Sequence, residues 1–533
     1  MILWSQAKCL VRFKDCVLKD NLKSTSFIFK NPITDLEIYQ SNTQDLPCKI
    51  GVIGHRKTEF LNALAMKYIA VPPLSRTYPL MAELKEYDQI QYLNFKESSG
   101  LDKVYLSARY ESYAYKGKLE MSDDVNSVKN YIVGSNNYNS NQSSVSEAEV
   151  NRVIDLFNLS HLRDKWVNSL SNGQLRRARI AKSVLHKPKL LIIDDPFLGL
   201  DPVQTQLVSN SLNDVVDEFN MAIVLGLRFQ DKVPEWIGHL TEVDESGVLF
   251  NGPREEVALK VSKNIKETEI PQDRKLNLLK ISNSDLSDND TPHVEFNNAS
   301  VIYKDVPVLA NFNWQIPRGT SWRILGENGT GKTTILSLIT ADHPQSWRSV
   351  LSVEGVLRKT GSGVTFFDVN NKIGISSPEL HSLVPSTKTM NEIIKNGLVK
   401  DIGNSNFQFS GERYELPNNK IEALFQKPFV VDVLEQHGNT PFHSLSITLQ
   451  KVTLFLRALI KDPELIILDE AFSCMDNVDL LKACHGVLRD EFPDSTILSI
   501  GHIEWELPDY DYVIKLVGDD NRSYQLFKAV AKD

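Results

Sequence analysis

Residues 326–333 read Gly-Glu-Asn-Gly-Thr-Gly-Lys-Thr, a glycine-rich turn closed by a lysine and a hydroxyl. The apolar run Trp322 to Leu325 precedes it, and a helix-compatible run, Thr334 to Thr340, follows it. Between a strand and a helix, such glycines let backbone N–H groups turn inward around phosphate oxygens, and the helix N-terminus adds positive potential. Gly326, Glu327, Asn328, Gly329, Thr330 and Gly331 then form the cradle. Lys332 reaches the outer phosphates, and the Thr333 hydroxyl is placed to ligate Mg²⁺. The flanking strand and helix set this string apart from a glycine-rich turn of no chemical consequence.

A second reactive group lies farther along. Leu465 to Leu468 is a strand-sized apolar run that ends in Asp469-Glu470. In α/β sheets the carboxyl ends of the strands face the ligand, so two carboxylates are delivered to that edge. Asp469 suits the metal, and Glu470 suits the attacking water as general base. The pair says little alone; joined to the phosphate loop it points to triphosphate hydrolysis. The next apolar run, Thr496 to Ile500, ends in Gly501-His502 at the same edge, where His502 can reach a γ-phosphate. By position alone, a lone histidine is more often incidental.

The elements that hold these groups occur twice. Leu170-Ser171 corresponds to Leu445-Ser446, Asp194 to Asp469 and Asp201 to Asp476, each at a separation of 275 residues. A repeat this long denotes duplicated domains, not a solenoid. In both halves short β-branched runs alternate with helix-period segments: Ile50 to Ile53, Leu190 to Ile193 and Ile223 to Leu225, then the three runs of the second half. That is the α/β pattern of a mainly parallel sheet. The expected boundaries are a first domain over 1–260, a linker over 261–290 that is too polar to pack, and a second domain over 291–533. Gly134 to Ser144 reads as a polar surface insertion in the first domain.

Composition narrows the remaining classes. With 41% apolar and 24% charged residues the 533-residue chain is globular and large enough for several cores. A net charge of −9 votes softly against a nucleic-acid-coating surface. Five cysteines show no Cys-x-x-Cys spacing, so neither zinc nor an iron–sulfur cluster is indicated. No apolar run approaches the roughly 20 residues of a membrane helix. The expected setting is intracellular, and a mild basic excess in the first thirty residues fits either a mitochondrial presequence or an ordinary first strand.

At this point the residues resemble the ATP-binding cassette (ABC) family. Leu170-Ser-Asn-Gly-Gln174, the helical run Arg176 to Leu185, and Leu190 to Asp201 look like that family's signature, its helix, the Walker B strand and the D-loop, in order. The resemblance implies two tandem P-loop NTPase domains. Each has a mainly parallel sheet core, an antiparallel β subdomain and an α-helical signature subdomain. It also implies head-to-tail pairing, with ATP and Mg²⁺ held between the Walker loops of one domain and the signature of the other. One composite site then comprises Gly326 to Thr334, Asp469, Glu470 and His502 with Ser171, Gly173, Gln174 and Asp201, and Tyr303 stacks on adenine.

The opposite site departs from the pattern. At the same offset, Gly51-Val-Ile-Gly-His-Arg-Lys-Thr58 keeps Lys57 and Thr58 for phosphate but has Arg56 where Gly331 stands. Asp195 follows Asp194 in place of the glutamate, Arg228 replaces the histidine, and the partnering Leu445-Ser-Ile-Thr-Leu449 has lost its glycine and glutamine. Four defects on one site and none on the other point to one hydrolytic and one degenerate site. Within the family, Phe442 to Ser446 and Phe455 to Glu470 are most similar to molybdate-transport-type twin cassettes and their fungal relatives. Ile373 to His381 lacks the glutamine that couples the γ-phosphate to a membrane partner, which weighs against transport coupling. Two roles stand open: an ATPase related to transporters, with a membrane protein as possible partner, or a mechanochemical ATPase acting on a ribosome or another large complex.

Overall fold

The structure is a computed structural model. It describes residues 9–531 except 25, 41–47, 85–88, 96–126, 135–145, 168, 169, 171, 199, 201, 230, 265–273, 275, 287–290, 304, 305, 328, 349, 360, 362, 401, 408–414 and 476. The chain divides into two compact units at Ile270–Pro271.

Unit 1 is built on the apolar runs anticipated above. Its long first strand β1 (Cys9–Lys19) pairs antiparallel with β2 (Ile33–Tyr39) and, by its two ends, with the short strands β4 (Ile69–Val71) and β5 (Arg76–Thr77). The core sheet has the order β10-β9-β3-β8-β7-β6. Its strands are β3 (Lys49–Ile53), β6 (Ile90–Asn94), β7 (Leu190–Asp194), β8 (Ala222–Gly226), β9 (His239–Asp244) and β10 (Gly247–Pro253). Only the β9–β10 pair is antiparallel. Strands buried on both faces read as unbroken apolar runs, and every residue of β7 and β8 is buried. A helical subdomain completes the unit: Val128–Val133, Glu147–Leu156 and α2 (Asn172–Leu185), the label α1 being kept for Lys57–Leu64 after β3. Ser146 and Glu149 form a capping box that fixes where Glu147–Leu156 begins.

Unit 2 repeats the plan. Its main sheet runs β11-β21-β20-β14-β19-β18-β17. These are β11 (Leu276–Ile281), β14 (Ser321–Leu325), β17 (Ile373–Ser376), β18 (Leu465–Asp469), β19 (Thr496–Ile500), β20 (Tyr512–Leu516) and β21 (Tyr524–Ala531). Apart from β11, the order is that of unit 1 strand for strand. An antiparallel sheet of β12 (Val294–Tyr303), β13 (Val306–Ile316), β15 (Leu351–Val353) and β16 (Val356–Leu357) packs on it. Helix α3 (Lys332–Ile339) follows β14, and α4 (Ile447–Leu459) precedes β18. Helices Met390–Asn396, Asn419–Phe425 and Pro428–His437 pack with α4 in a core that they share with β18, β19 and the helix Val478–Glu491.

The stretch 261–290 is not all linker. The helix Arg254–Asn264 runs into it, and Leu276–Ile281 is the edge strand β11, bonded along its length to β21, so unit 2 starts upstream of Thr291. Apolar content misjudged it because an edge strand is held by backbone hydrogen bonds; Leu278 and Leu279 remain 44% and 55% exposed. Of the expected insertion, Gly134 caps the helix Val128–Val133 at φ +83°, and the rest lies outside the described residues. The five cysteines are free thiols, four of them buried. Among the described residues no helix is long and apolar enough to cross a membrane.

The antiparallel sheet braces the strand that feeds the glycine-rich loop. Trp314 on β13 is fully buried, with its ring 5.2 Å from that of Trp322 on β14 and 6.2 Å from those of Phe296 and Phe312. Replacing Trp314 by alanine removes an aromatic from a close-packed cluster and should cost about 3–5 kcal/mol in urea unfolding of unit 2. A loss under about 1 kcal/mol would contradict this bracing role.

Candidate functional site

In unit 2, β14 ends at Leu325 and α3 starts at Lys332, leaving six residues for the turn. Two glycines are required by geometry. A Cβ on Gly326 would lie 2.5 Å from Thr330 Oγ1 and 3.1 Å from Leu516 O, and Gly331, at φ +102°, starts the helix from the left-handed region. Thr330 Oγ1 donates to Glu327 O at 2.8 Å and holds the turn closed. Lys332 folds back over the turn and donates to Gly326 O at 2.5 Å and Glu327 O at 3.0 Å. It thus spans the ring of backbone that a phosphate would fill. Thr333 is exposed at the helix start, with Thr334 half-buried beside it.

Neighbouring parallel strands bring the carboxylates to the same sheet. Asp469 ends β18, and Glu470 follows in a left-handed turn at φ +46°. Burial raises the Asp469 carboxyl well above the carboxylate range, and the negative charges of Glu379 and Glu470 add to this. A divalent cation there would relieve that cost, which is what a metal ligand requires. Burial also pushes Glu470 up, but the hydrogen bond and charge of His502 outweigh it, helped by Lys451 and Lys332, and hold Glu470 below its usual value. His502 Nε2 lies 3.3 Å from Glu470 Oε1, both side chains being less than one-fifth exposed. The residue types present therefore fit a triphosphate and Mg²⁺: a cradle that a Cβ would fill, a lysine, a hydroxyl, and a buried carboxylate short of positive charge.

The unit 1 counterpart is built differently. Ile50 pairs with Val224 where Trp322 pairs with Leu498, and Val224 and Leu498 occupy equivalent places beside Ile192 and Ile467. By this register Gly54 matches Gly326, whereas Gly51 lies inside β3 and is not the first glycine of a loop. The ungapped comparison of sequences missed a deletion that the strand absorbs. Since α1 starts at Lys57, only Gly54, His55 and Arg56 span the turn, three residues against six. The short turn lies flat on β9: a Cβ on Gly54 would fall 1.9 Å from Val243 O, and the Arg56 N–H points at that oxygen from 3.5 Å. Lys57 is buried and donates to Asp194 Oδ1 at 2.8 Å and Asp195 Oδ1 at 2.6 Å, while Thr58 Oγ1 donates to Asp194 Oδ2 at 2.6 Å. Arg56 turns away to Glu59.

Other expected residues separate in the same way. Arg228 is buried in a double contact with Asp231, its backbone N–H at 3.0 Å and a guanidinium N–H at 2.7 Å from the carboxylate. Gly173 and Gln174 lie in the first turn of α2, and a Cβ on Gly173 would approach Gln204 Oε1 to 3.1 Å. In unit 2 the matching Ser446 caps α4 by accepting from Leu449 N at 3.3 Å. Tyr303 is the last residue of β12; its side chain, and residues Ser171, Asp201 and Asn328, lie outside the described residues.

Sequence reasoning missed three contributors. Lys451 on α4 donates to Glu470 O at 2.8 Å, and the equivalent Arg176 on α2 donates to Pro196 O at 3.0 Å, so a basic side chain from each signature helix secures the chain after the Walker B strand. Both sit at the 275-residue offset, which was the available signal. Glu379 follows Ser377, the cap of the helix Pro378–Leu383, and its charge reaches Asp469 from where the glutamine was expected; nothing in the spacing pointed to it. His381, in the same run, is pushed down to about 4 by burial and shares a hydrogen at 2.7 Å with Gln450.

Known proteins match this arrangement. The family model described as ABC transporter matches residues 96–198 and 309–473. An uncharacterized ABC transporter ATP-binding protein of Saccharomyces cerevisiae is 36% identical over 96% of this chain and 98% of its own length. The ABC transporter ATP-binding protein ModF of Escherichia coli is 30% identical over 67% of this chain and 71% of its own. Among solved structures, a model of ribosome-bound archaeal Pelota and ABCE1 is similar with a TM-score of 0.58 at 15% identity, covering 97% of this chain and 78% of that one. At that identity the likeness speaks for the fold alone. With the same strand order in each unit, a family model that matches both halves and a relative aligned along nearly its whole length, the chain belongs to the ABC transporter family, as a tandem-cassette ATP-binding protein.

Proposed function

We propose that this protein hydrolyses ATP at a single composite site. That site joins the loop Gly326 to Thr334 and Asp469, Glu470 and His502 of unit 2 to Ser171, Gly173, Gln174 and Asp201 of unit 1, with Tyr303 against adenine. The observation that carries the reading is the Glu470–His502 contact of 3.3 Å at the sheet edge that also holds an open, six-residue phosphate turn. Glu470, held ionised by its histidine, accepts the proton of the attacking water. His502 steadies that carboxylate and faces the outgoing phosphate. Lys332, which donates to Gly326 O and Glu327 O across the turn, would bind phosphate oxygens by charge-assisted bonds, roughly twice as strong as neutral ones. Thr333 and Asp469 would hold Mg²⁺, which would supply neutralisation of phosphate charge.

Unit 1 supplies the signature face and keeps its own turn as a structural ion triad. Lys57 is already neutralised by Asp194 and Asp195, the turn is too short to surround a phosphate, and Arg228, in the histidine's place, is bound to Asp231. We read this half as holding no nucleotide. What the ATPase drives is less closely bounded. The kinship with ABC transporter ATP-binding proteins supports a role beside a transporter. The missing coupling glutamine in Ile373 to His381 favours work on a large complex such as a ribosome. Co-purification decides between them: a membrane protein supports the first role, ribosomes the second.

Replacing Glu470 with Gln should lower steady-state ATP turnover by about 10²-fold or more, the usual worth of a general base, while Asp195→Asn stays within about twofold of wild type. The reverse ranking would place hydrolysis in unit 1. Ser171→Arg should lower turnover with nucleotide binding retained, because it obstructs only the closing face; unchanged turnover would rule out a composite site.

A further inference from the structure

Arg274 stands a few residues into unit 2, on the chain arriving from unit 1. Its guanidinium gathers the turn that follows His502. It donates to Asp509 Oδ1 at 2.6 Å, Pro508 O at 3.1 Å and Leu507 O at 3.2 Å, with a longer contact to Glu504 O at 3.5 Å. It also pairs with Glu504 Oε1 at 3.2 Å and lies over the Tyr510 ring, 4.9 Å from its centre. Glu504 is shared further: Arg323 donates to its Oε2, and the Tyr510 hydroxyl donates to its Oε1 at 2.8 Å.

The placement gives this network reach. Glu504 lies two residues after His502, and Arg323 lies on β14 three residues before Gly326. One carboxylate thus ties the connector between the units both to the loop that presents His502 and to the strand that feeds the phosphate turn. The side chains of Glu504 and Arg323 are only 14% and 12% exposed, so these pairs are not the weak bridges of an open surface. A guanidinium that also binds successive backbone carbonyls fixes a chain path, which a simple ion pair does not.

We propose that Arg274 is a positioning residue, coupling the connector between the units to the seat of His502. Arg274, just before β11, thereby holds the loop that carries His502 to the start of unit 2. The kinetic part of the proposal rests on the hydrolysis reading above; the structural part does not.

The test compares wild type, Arg274→Ala and Arg274→Lys in the full-length protein by amide hydrogen exchange and by ATPase kinetics. In the alanine variant, peptides spanning residues 501–510 should exchange faster, and kcat should fall about tenfold with KM for ATP within about twofold. The lysine variant, which keeps the charge without the fork, should recover part of both. Unchanged exchange over 501–510 overturns the proposal, as does a general loss of protection across unit 2 or a parallel change in kcat and KM. If wild type itself turns over no ATP, the hydrolysis reading fails and the exchange comparison alone decides this one.

Discussion

How a lysine at the head of a helix is held depends on how much chain lies between strand and helix. Six residues separate β14 from α3 in unit 2, and Lys332 donates across that turn to Gly326 O and Glu327 O. Three residues draw the unit 1 turn down onto Val243, and Lys57 sinks onto Asp194 and Asp195. A buried cation between two carboxylates repays its desolvation only while the contacts stay intact, so releasing Lys57 to a ligand would strand two buried negative charges. The same residue type thus bridges an open backbone turn in one half and is locked to two carboxylates in the other.

The rest of each unit follows from that difference. In unit 2 the carboxylate after the Walker B strand has a histidine to meet, and the buried aspartate beside it is left with an excess of negative charge that a cation can satisfy. In unit 1 both carboxylates are consumed, and the residue in the histidine's place, Arg228, is closed on Asp231. Apart from the edge strand β11, the main sheets agree strand for strand, down to the left-handed residue after the aspartate, Asp195 at φ +53° and Glu470 at φ +46°. The asymmetry lies in the turn and its side chains, not in the sheet.

Much of this was legible in the amino-acid sequence. The fully buried strands β7 and β18 are unbroken apolar runs up to their terminal aspartates, so they fall where the apolar pattern puts them, and the repeat offset pairs them. The deletion in the unit 1 turn was not legible, because Gly51 and Gly54 mimic the loop glycines while one of them is inside a strand. β11 was missed because an edge strand needs little burial, and Glu379, Lys451 and Arg274 because helix faces and connectors carry no motif. Distances in the folded chain, not spacing in the sequence, bring those three to the site.

The most direct test is the nucleotide stoichiometry. Native mass spectrometry with a slowly hydrolysed ATP analogue and Mg²⁺, run on wild type and on Lys332→Ala, counts the occupied sites without depending on turnover. One nucleotide per wild-type chain and none on the variant is the predicted result. Two nucleotides on wild type, or one that survives loss of Lys332, would contradict the account.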